Sequence, residues 1–478
     1  MGQLITSLSA TELAQLIKEH QIKVVEVVSN YLEQIERCNG SINAISKLRP
    51  KQEILAEADQ KDHMLANGHV PEPLFGVPIT IKESIMVAGL PHTNGDPLLR
   101  NNVAKEDALI VKNLKGAGAI ILGVTNIALF SIDWQSVTPW NGTTNNPHDL
   151  SRTAGGSSGG AAASVASKMS PISIGSDAGG SIRVPAHFCG VYGLRPTENY
   201  VSNRGHLNAP GRPTGRRHVV TPGPLANSLE DLKVTIQALT NQRKHSTSDL
   251  PDVPFEQSHW QKETLRIAYA ESLNGIEIDH EYLDLFRKFI KTIAAHGHAC
   301  MADRPSYDEH QSYYIYNKLV GFENGVNTPN IPLLNWLLYL FIRTKYKDHS
   351  WALGMAKGIR MNNVQYARVI DYKDQFADTF QSFLSDYDIW ITPSSACEAF
   401  KHQSAGKPFT INGKKVPYTK AIATYNFTTA FAGHPILAIP IGKLKNGMPV
   451  GVQIHSKKWT ENRLLQIATH LEAVWHKE

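Results

Sequence analysis

The chain has 478 residues, of which 42% are hydrophobic and 19% charged, a globular balance that excludes a mainly disordered protein. Its 48 basic and 43 acidic residues leave a net charge of +5 with no dense Lys/Arg block, which predicts no nucleic-acid footprint. Four scattered cysteines (Cys38, Cys189, Cys300, Cys397) form no CxxC pair, so neither a zinc knuckle nor a disulfide framework is expected, and a reducing, cytoplasmic setting fits.

The start, Met1-Gly2-Gln3-Leu4-Ile5-Thr6, has no basic segment and no long apolar one, so no secretory signal is expected. It meets the loose M-G-x-x-x-[ST] acylation pattern, which six residues meet readily by chance. Ser9-Ala10-Thr11-Glu12 reads as a capping box opening a helix. Val24, Val28, Tyr31 and Ile35 have helical spacing and predict a second helix. The β-branched run from Phe75 to Lys82 predicts a strand that ends on a lysine, and residues 106–117 predict a helix. Ala119–Val124 and Pro171–Gly175 read as buried strands. Ser228-Leu229-Glu230-Asp231 opens a helix with Leu229, Leu232, Ile236 and Leu239 on one face. Residues 241–264 are polar and loop-like. Strand-like runs return at Leu265–Ala270, Ile389–Thr392, Ile436–Ile441 and Val450–Ile454, with mostly helical pattern over 275–385. The most apolar run, 331–342, is twelve residues long and contains Asn335, where a membrane span needs about 20. It reads as a buried or groove-lining helix. A foot resting on a membrane surface, with Arg343, Lys345 and Lys347 just after it, is the alternative.

Strands alternating with helices predict an α/β fold with a mostly parallel or mixed sheet. The boundaries expected are a helical lead-in (1–65), a core (66–240), a helix-rich variable region (241–425) and closing strands and helix (426–478). The closing segment is expected to rejoin the core sheet, which makes one large domain rather than three modules.

Glycine decides the functional reading through its clustering. Residues 155–160 read GGSSGG and lead into the small-residue segment Ala161–Ala166, while 175–183 read GSDAGGSIR and follow a strand. Glycines before a serine let backbone N–H groups converge on one point, as an anion or oxyanion site requires. A phosphate loop fits poorly, because neither block carries the G-x-x-x-x-G-K-[ST] lysine or a G-x-G-x-x-G with a downstream acid. Gly155–Gly159 satisfies G-x-S-x-G, but a nucleophile elbow needs a buried strand before it, and Asn145–Arg152 are polar. A merely structural loop remains the plain alternative. The third reading pairs the serines with a lysine base. Such a lysine must be neutral, which burial or a nearby positive field favours. Lys82, ending an apolar run, is the candidate, against a surface lysine at a strand end.

These residues resemble the amidase signature family. The likeness covers most of the chain and is strongest over about 70–200, where Lys82, GGSSGG and GSDAGGSIRVPAHFCGVYGLRPT (175–197) stand in family order. It continues at Thr221–Leu225 and Ser228–Leu232, and resumes at Gly433-His434-Pro435 and Gly447–Gln453. The resemblance implies one large domain with a mixed, twisted sheet covered by helices on both faces. It implies hydrolysis of a carboxylic amide to acid plus amine or ammonia, with no cofactor and no metal. Ser181 would be the nucleophile. Ser157, preceded by a cis peptide bond, would bridge Ser181 to the base Lys82. The N–H groups of Ala178, Gly179, Gly180 and Ser181 would form the oxyanion hole, and Ser158, Asp177 and Arg183 would hold that loop. The partner expected is a small-molecule amide, without nucleic acid or membrane contact, and a homodimer is the oligomer kept open. Two alternatives remain: an amidotransferase subunit that frees ammonia from glutamine for a partner, and a non-catalytic relative.

The sequence departs from the family pattern at Glu83-Ser84, where many members carry Asp-Asn. Cys189 reads as a small buried hydrophobe, and His296-Gly297-His298 as a surface pair. Residues 275–400 match the family poorly. Tyr313, Tyr314, Tyr316, Trp336 and Tyr339 there are candidates for an acyl pocket, with core packing the plainer reading for most.

Overall fold

The computed structural model describes residues 5–207, 218–240, 264–325 and 332–477, with 250, 251, 253, 255 and 260 between them. Met1–Leu4 of the acylation pattern and most of the polar 241–264 segment lie outside the described residues.

The apolar runs become strands because both of their faces find cover. Strands β1 (Ile45–Leu48), β2 (Pro78–Lys82), β3 (Ile120–Thr125), β4 (Ile172–Asp177), β5 (Tyr192–Arg195), β6 (Thr221–Ala226), β7 (Arg266–Tyr269), β8 (Ala299–Ala302), β9 (Ile389–Pro393), β10 (Ile436–Lys443) and β11 (Pro449–His455) build one sheet, numbering only its members. Its order is β1-β3-β2-β4-β6-β5-β10-β11-β9-β7-β8. Neighbours β3, β2 and β4 run parallel, as do β9, β7 and β8, and the remaining pairs are antiparallel. The sheet is mixed, and the closing strands β10 and β11 do rejoin it, between β5 and β9.

Every residue of β2, β3 and β4 is buried, as strands covered on both faces require. Residues of β3, whose pairing with β2 shifts register after Ile121, enter two different cores. Ile121 and Val124 join α4 (Leu109–Gly116) and α7 (Leu229–Thr240) on one face. Ile120 and Leu122 join α2 (Val24–Ile42), α3 (Lys51–Ala66) and α5 (Gly159–Ala166) on the other. Before them α1 (Ala10–Lys18) carries the expected capping box, in which the Ser9 side chain accepts from the Glu12 N–H. Helix α6 (Arg183–Cys189) follows β4. The second half adds α8 (His280–Ala295), α9 (Glu309–Gly325), α10 (Pro332–Tyr346), α11 (His349–Ile359), α12 (Asn363–Phe383), α13 (Tyr418–Ala432) and α14 (Glu461–Trp475).

The lead-in is not purely helical, since β1 within it pairs antiparallel with β3. Strand β8 interrupts the helical stretch after 275 and pairs with β7 at the sheet's other edge. Both are four-residue edge strands, too short for periodicity to separate from loop. A small hairpin, Phe409–Ile411 with Lys414–Val416, was likewise unforeseen. Asp149–Thr153 is extended despite its polarity, but pairs with Asn145–Asn146 and, through an Arg152–Lys401 bridge, with the 400–402 segment, outside the main sheet, so no buried strand leads into GGSSGG. Of the apolar run at 331–342, Trp336 and Tyr339 line a groove and Ile342 is buried. Residue 331 lies outside the described residues, and α10 turns Ile342 and Tyr346 inward while Leu333, Trp336, Leu337 and Phe341 are exposed, Leu333 to 62%. Trp336 and Tyr339 line a surface groove with Lys318, Lys357 and Arg360. No helix among the described residues is long and apolar enough to cross a membrane.

Candidate active site

Because β2 and β4 are parallel neighbours, their C-terminal ends reach the same edge of the sheet, with Ile81 opposite Ile174. Lys82 ends β2, Asp177 ends β4, and Ser181 follows four residues later. The GGSSGG turn comes to the same place because α5, which it opens, packs its small residues on β2 and β4. The Ser164 and Thr80 hydroxyls meet there at 3.2 Å.

Lys82 is fully buried, so the surface-lysine alternative fails. Its Nζ donates to Ser157 Oγ at 2.8 Å and to Ser176 Oγ at 3.1 Å. Ser176 was not singled out from the sequence, and strand register is the signal that finds it, since the pairing that sets Ile81 against Ile174 brings Ser176 beside Lys82. Ser158 Oγ donates to the Ser176 carbonyl at 3.1 Å, which ties the first glycine block to the second. The Ser158 N–H also donates to the Ser181 carbonyl at 3.2 Å. The peptide bond from Gly156 to Ser157 is cis. Ser157 is buried and Ser181 is 8% exposed. Their hydroxyls make no mutual hydrogen bond among the described residues, so the Lys82–Ser157 half of the expected relay is the assembled half.

Asp177 organises the second block. Its carboxylate accepts from the N–H groups of Gly180 and Ile182 at 2.9 and 3.0 Å, and from Arg183 Nε and a terminal guanidinium nitrogen at 3.0 and 2.9 Å. Arg195 lies 3.8 Å away. Burial pushes this carboxyl's pKa up, but the Arg183 charge and hydrogen bonds, with Arg195, outweigh it and hold the group well below the usual carboxylate range. Arg183 also reaches Gln453 and the Asn426 carbonyl, neither of them foreseen. Gly180 has φ +105°, and a Cβ there would stand 2.6 Å from Asn426 Cγ.

One expected oxyanion donor is corrected. The Gly180 N–H is spent on Asp177, which leaves Ala178, Gly179 and Ser181 as candidates. Glu83 is buried and accepts from Ser46 Oγ at 2.7 Å, Thr93 Oγ1 at 2.5 Å and Asn141 Nδ2 at 3.2 Å. Burial raises its pKa, and those hydrogen bonds oppose the rise. Cys189 is buried, its thiol pKa pushed up by burial, and its Sγ donates to the Ala154 carbonyl. His296 is exposed as expected, but His298 is buried, with its Nε2 3.0 Å from that of His470.

The family described as Amidase matches residues 26–465. The chain belongs to the amidase signature family. It is 28% identical to the Homo sapiens protein named fatty-acid amide hydrolase 2, over 97% of this chain and 88% of that one. It is 30% identical to a glutamyl-tRNA(Gln) amidotransferase subunit of Fusobacterium nucleatum, over 97% and 96%. A solved structure titled fatty acid amide hydrolase superposes with a TM-score of 0.82 at 21% identity, covering 99% of this chain and 86% of that one, and so shares the fold.

In this amidase signature chain Ser181 opens on a cleft of about 740 Å³, counting space open to solvent. Trp134, Tyr313, Tyr316, Val320, Trp351, Met355 and Phe427 supply apolar wall, while Asn317, Glu323 and Asn324 add polar groups. Of the five aromatics that the sequence offers for an acyl pocket, Tyr313 and Tyr316 line the cleft. Trp336 and Tyr339 line the outer groove instead. No histidine is among the cleft-lining residues described.

Proposed function

We propose that this chain hydrolyses a carboxylic amide with an apolar acyl or aryl group through an acyl-enzyme on Ser181. Ser181 Oγ attacks the carbonyl carbon while its proton passes to Ser157 Oγ, whose own proton passes to neutral Lys82 Nζ. The tetrahedral oxyanion is held by the N–H groups of Ala178, Gly179 and Ser181. On collapse the C–N bond breaks, and the amine leaves with a proton returned from Lys82 through Ser157. Water then attacks the ester, yields its proton to the same relay, and releases the carboxylic acid with Ser181 restored. Proton relay of this kind contributes about 10²–10⁴-fold, and each oxyanion donor about 10²–10³-fold.

The observation that carries the reading is the 2.8 Å Lys82–Ser157 hydrogen bond, buried at the sheet edge where Ser181 meets the cleft. The apolar walls support an apolar acyl group over glutamine, whose amide and α-substituents need polar partners. Likeness to an amidotransferase subunit keeps the ammonia-supplying reading as the second. The test is turnover of 4-nitroanilides from acetyl to decanoyl by the purified chain. Ser181→Ala is expected to lose turnover and fluorophosphonate labelling while keeping its melting temperature. Full turnover by that variant overturns the acyl-enzyme. Release of ammonia from glutamine, with no action on any anilide, favours the second reading.

A further inference from the structure

Two aromatic side chains that wall the cleft also grip the loop beside Ser181 from behind. The Trp134 indole N–H donates to the Gly179 carbonyl at 3.0 Å. The Tyr316 hydroxyl donates to the Ala178 carbonyl at 3.3 Å. Both rings are at least nine-tenths buried. Trp134 is wedged against Trp351 and Tyr418. Tyr316 is wedged against Phe427 and Phe431.

A trans peptide is planar, with its C=O and N–H pointing in opposite directions. Holding a carbonyl therefore aims the next residue's N–H. Tyr316, by holding the Ala178 carbonyl, aims the Gly179 amide away from itself. Trp134 holds the carbonyl end of the next peptide, and Asp177 holds its other end through the Gly180 N–H at 2.9 Å. The third peptide is held by α6, whose Val184 N–H donates to the Gly180 carbonyl at 2.7 Å, and this aims the Ser181 amide. Three successive peptide planes are thus each pinned by a different element. Two of the pins are rings that line the cleft.

We propose that Trp134 and Tyr316 are positioning residues for the oxyanion loop. Through its O–H Tyr316 orients the Gly179 amide that receives the developing charge, and through its N–H Trp134 fixes the Gly179–Gly180 peptide that sets this amide relative to the Ser181 amide, while both ring faces contact the acyl group. The proposal rests on the acyl-enzyme reading above. It also accounts for Gly179, where a Cβ would stand 2.6 Å from the Tyr316 hydroxyl and drive the clamp off.

The test removes each donor and keeps each ring, with Trp134→Phe and Tyr316→Phe in the full chain. Losing an oxyanion donor outright costs about 10²–10³-fold, and a mis-aimed one costs part of that. For hexanoyl 4-nitroanilide each variant is expected to lose about tenfold or more in kcat with KM changed less than threefold. A hexyl trifluoromethyl ketone, which forms a tetrahedral oxyanion on Ser181, is expected to bind about tenfold more weakly. Hexanoic acid, which forms none, is expected to bind as before. Tyr316→Phe, the more conservative change, keeps the test decisive if Trp134→Phe folds poorly. Unchanged kcat and ketone affinity in Tyr316→Phe overturn the clamp. So does equal weakening of ketone and acid, which marks the rings as walls alone. Full turnover by Ser181→Ala overturns the acyl-enzyme reading itself and the clamp with it.

Discussion

Arg183 donates to both carboxylate oxygens of Asp177, a two-point grip that ties the end of β4 to the start of α6 with Ser181 between them. Both side chains are fully buried. Removing one partner of such a pair leaves the other charge without compensation in low dielectric, typically at 3–5 kcal/mol. Asp177→Asn is isosteric, yet strands Arg183 and the nearby Arg195. It is expected to lose about that much stability in urea unfolding and to lose turnover as the loop loosens. A variant as stable as the parent would show that the arginines find other counter-charges.

Lys82 is expected to act through its proton rather than its bulk. Lys82→Met keeps the length and fills the same buried space at the end of β2. Turnover is expected to fall by about 10²–10⁴-fold, the share of a proton relay. The pH–rate profile is also expected to lose the limb that reports the base. An unchanged profile would assign the base to another group.

The chemistry was legible in the sequence because it is local. Two glycine blocks and one lysine are each readable within a few residues, and the apolar runs between them named most of the central strands. What escaped depends on register and on edges. Ser176 reaches Lys82 only through the β2–β4 pairing. Trp134 comes to the loop from the connection after β3 and Tyr316 from α9, 45 and 138 residues away in the chain. Strands β1 and β8, four residues each at opposite edges, have too little length for a period to appear. The outward face of α10 could not be read either, since a mostly apolar helix does not say from composition which side meets the protein.

Val320 is only half-buried on α9 and lines the cleft, so a larger side chain there can narrow the acyl site without rebuilding the core. Val320→Trp is expected to lower kcat/KM for decanoyl 4-nitroanilide by about tenfold or more, the worth of one or two excluded methylenes. The acetyl compound, whose acyl group carries a single methyl, is expected to change by less than about twofold. Equal loss on both would place the acyl group elsewhere.

Asp133 sits half-buried beside Trp134, where its carboxylate accepts from the Tyr418 hydroxyl and the Trp134 N–H. Burial raises its pKa from the ordinary 3.8 to about 6, against the pull of Tyr418, Lys345 and the Trp134 amide. The folded chain therefore binds a proton between those values that the unfolded chain has released. The stabilisation from that proton is full below about pH 4 and is lost as pH rises through 6. Asp133→Asn, which never ionises, is expected to flatten the fall in melting temperature between pH 4 and 7, whatever its effect on absolute stability. Parallel profiles for the two proteins would mean that Asp133 is already ionised across the range, with the Tyr418 and Trp134 donors outweighing burial.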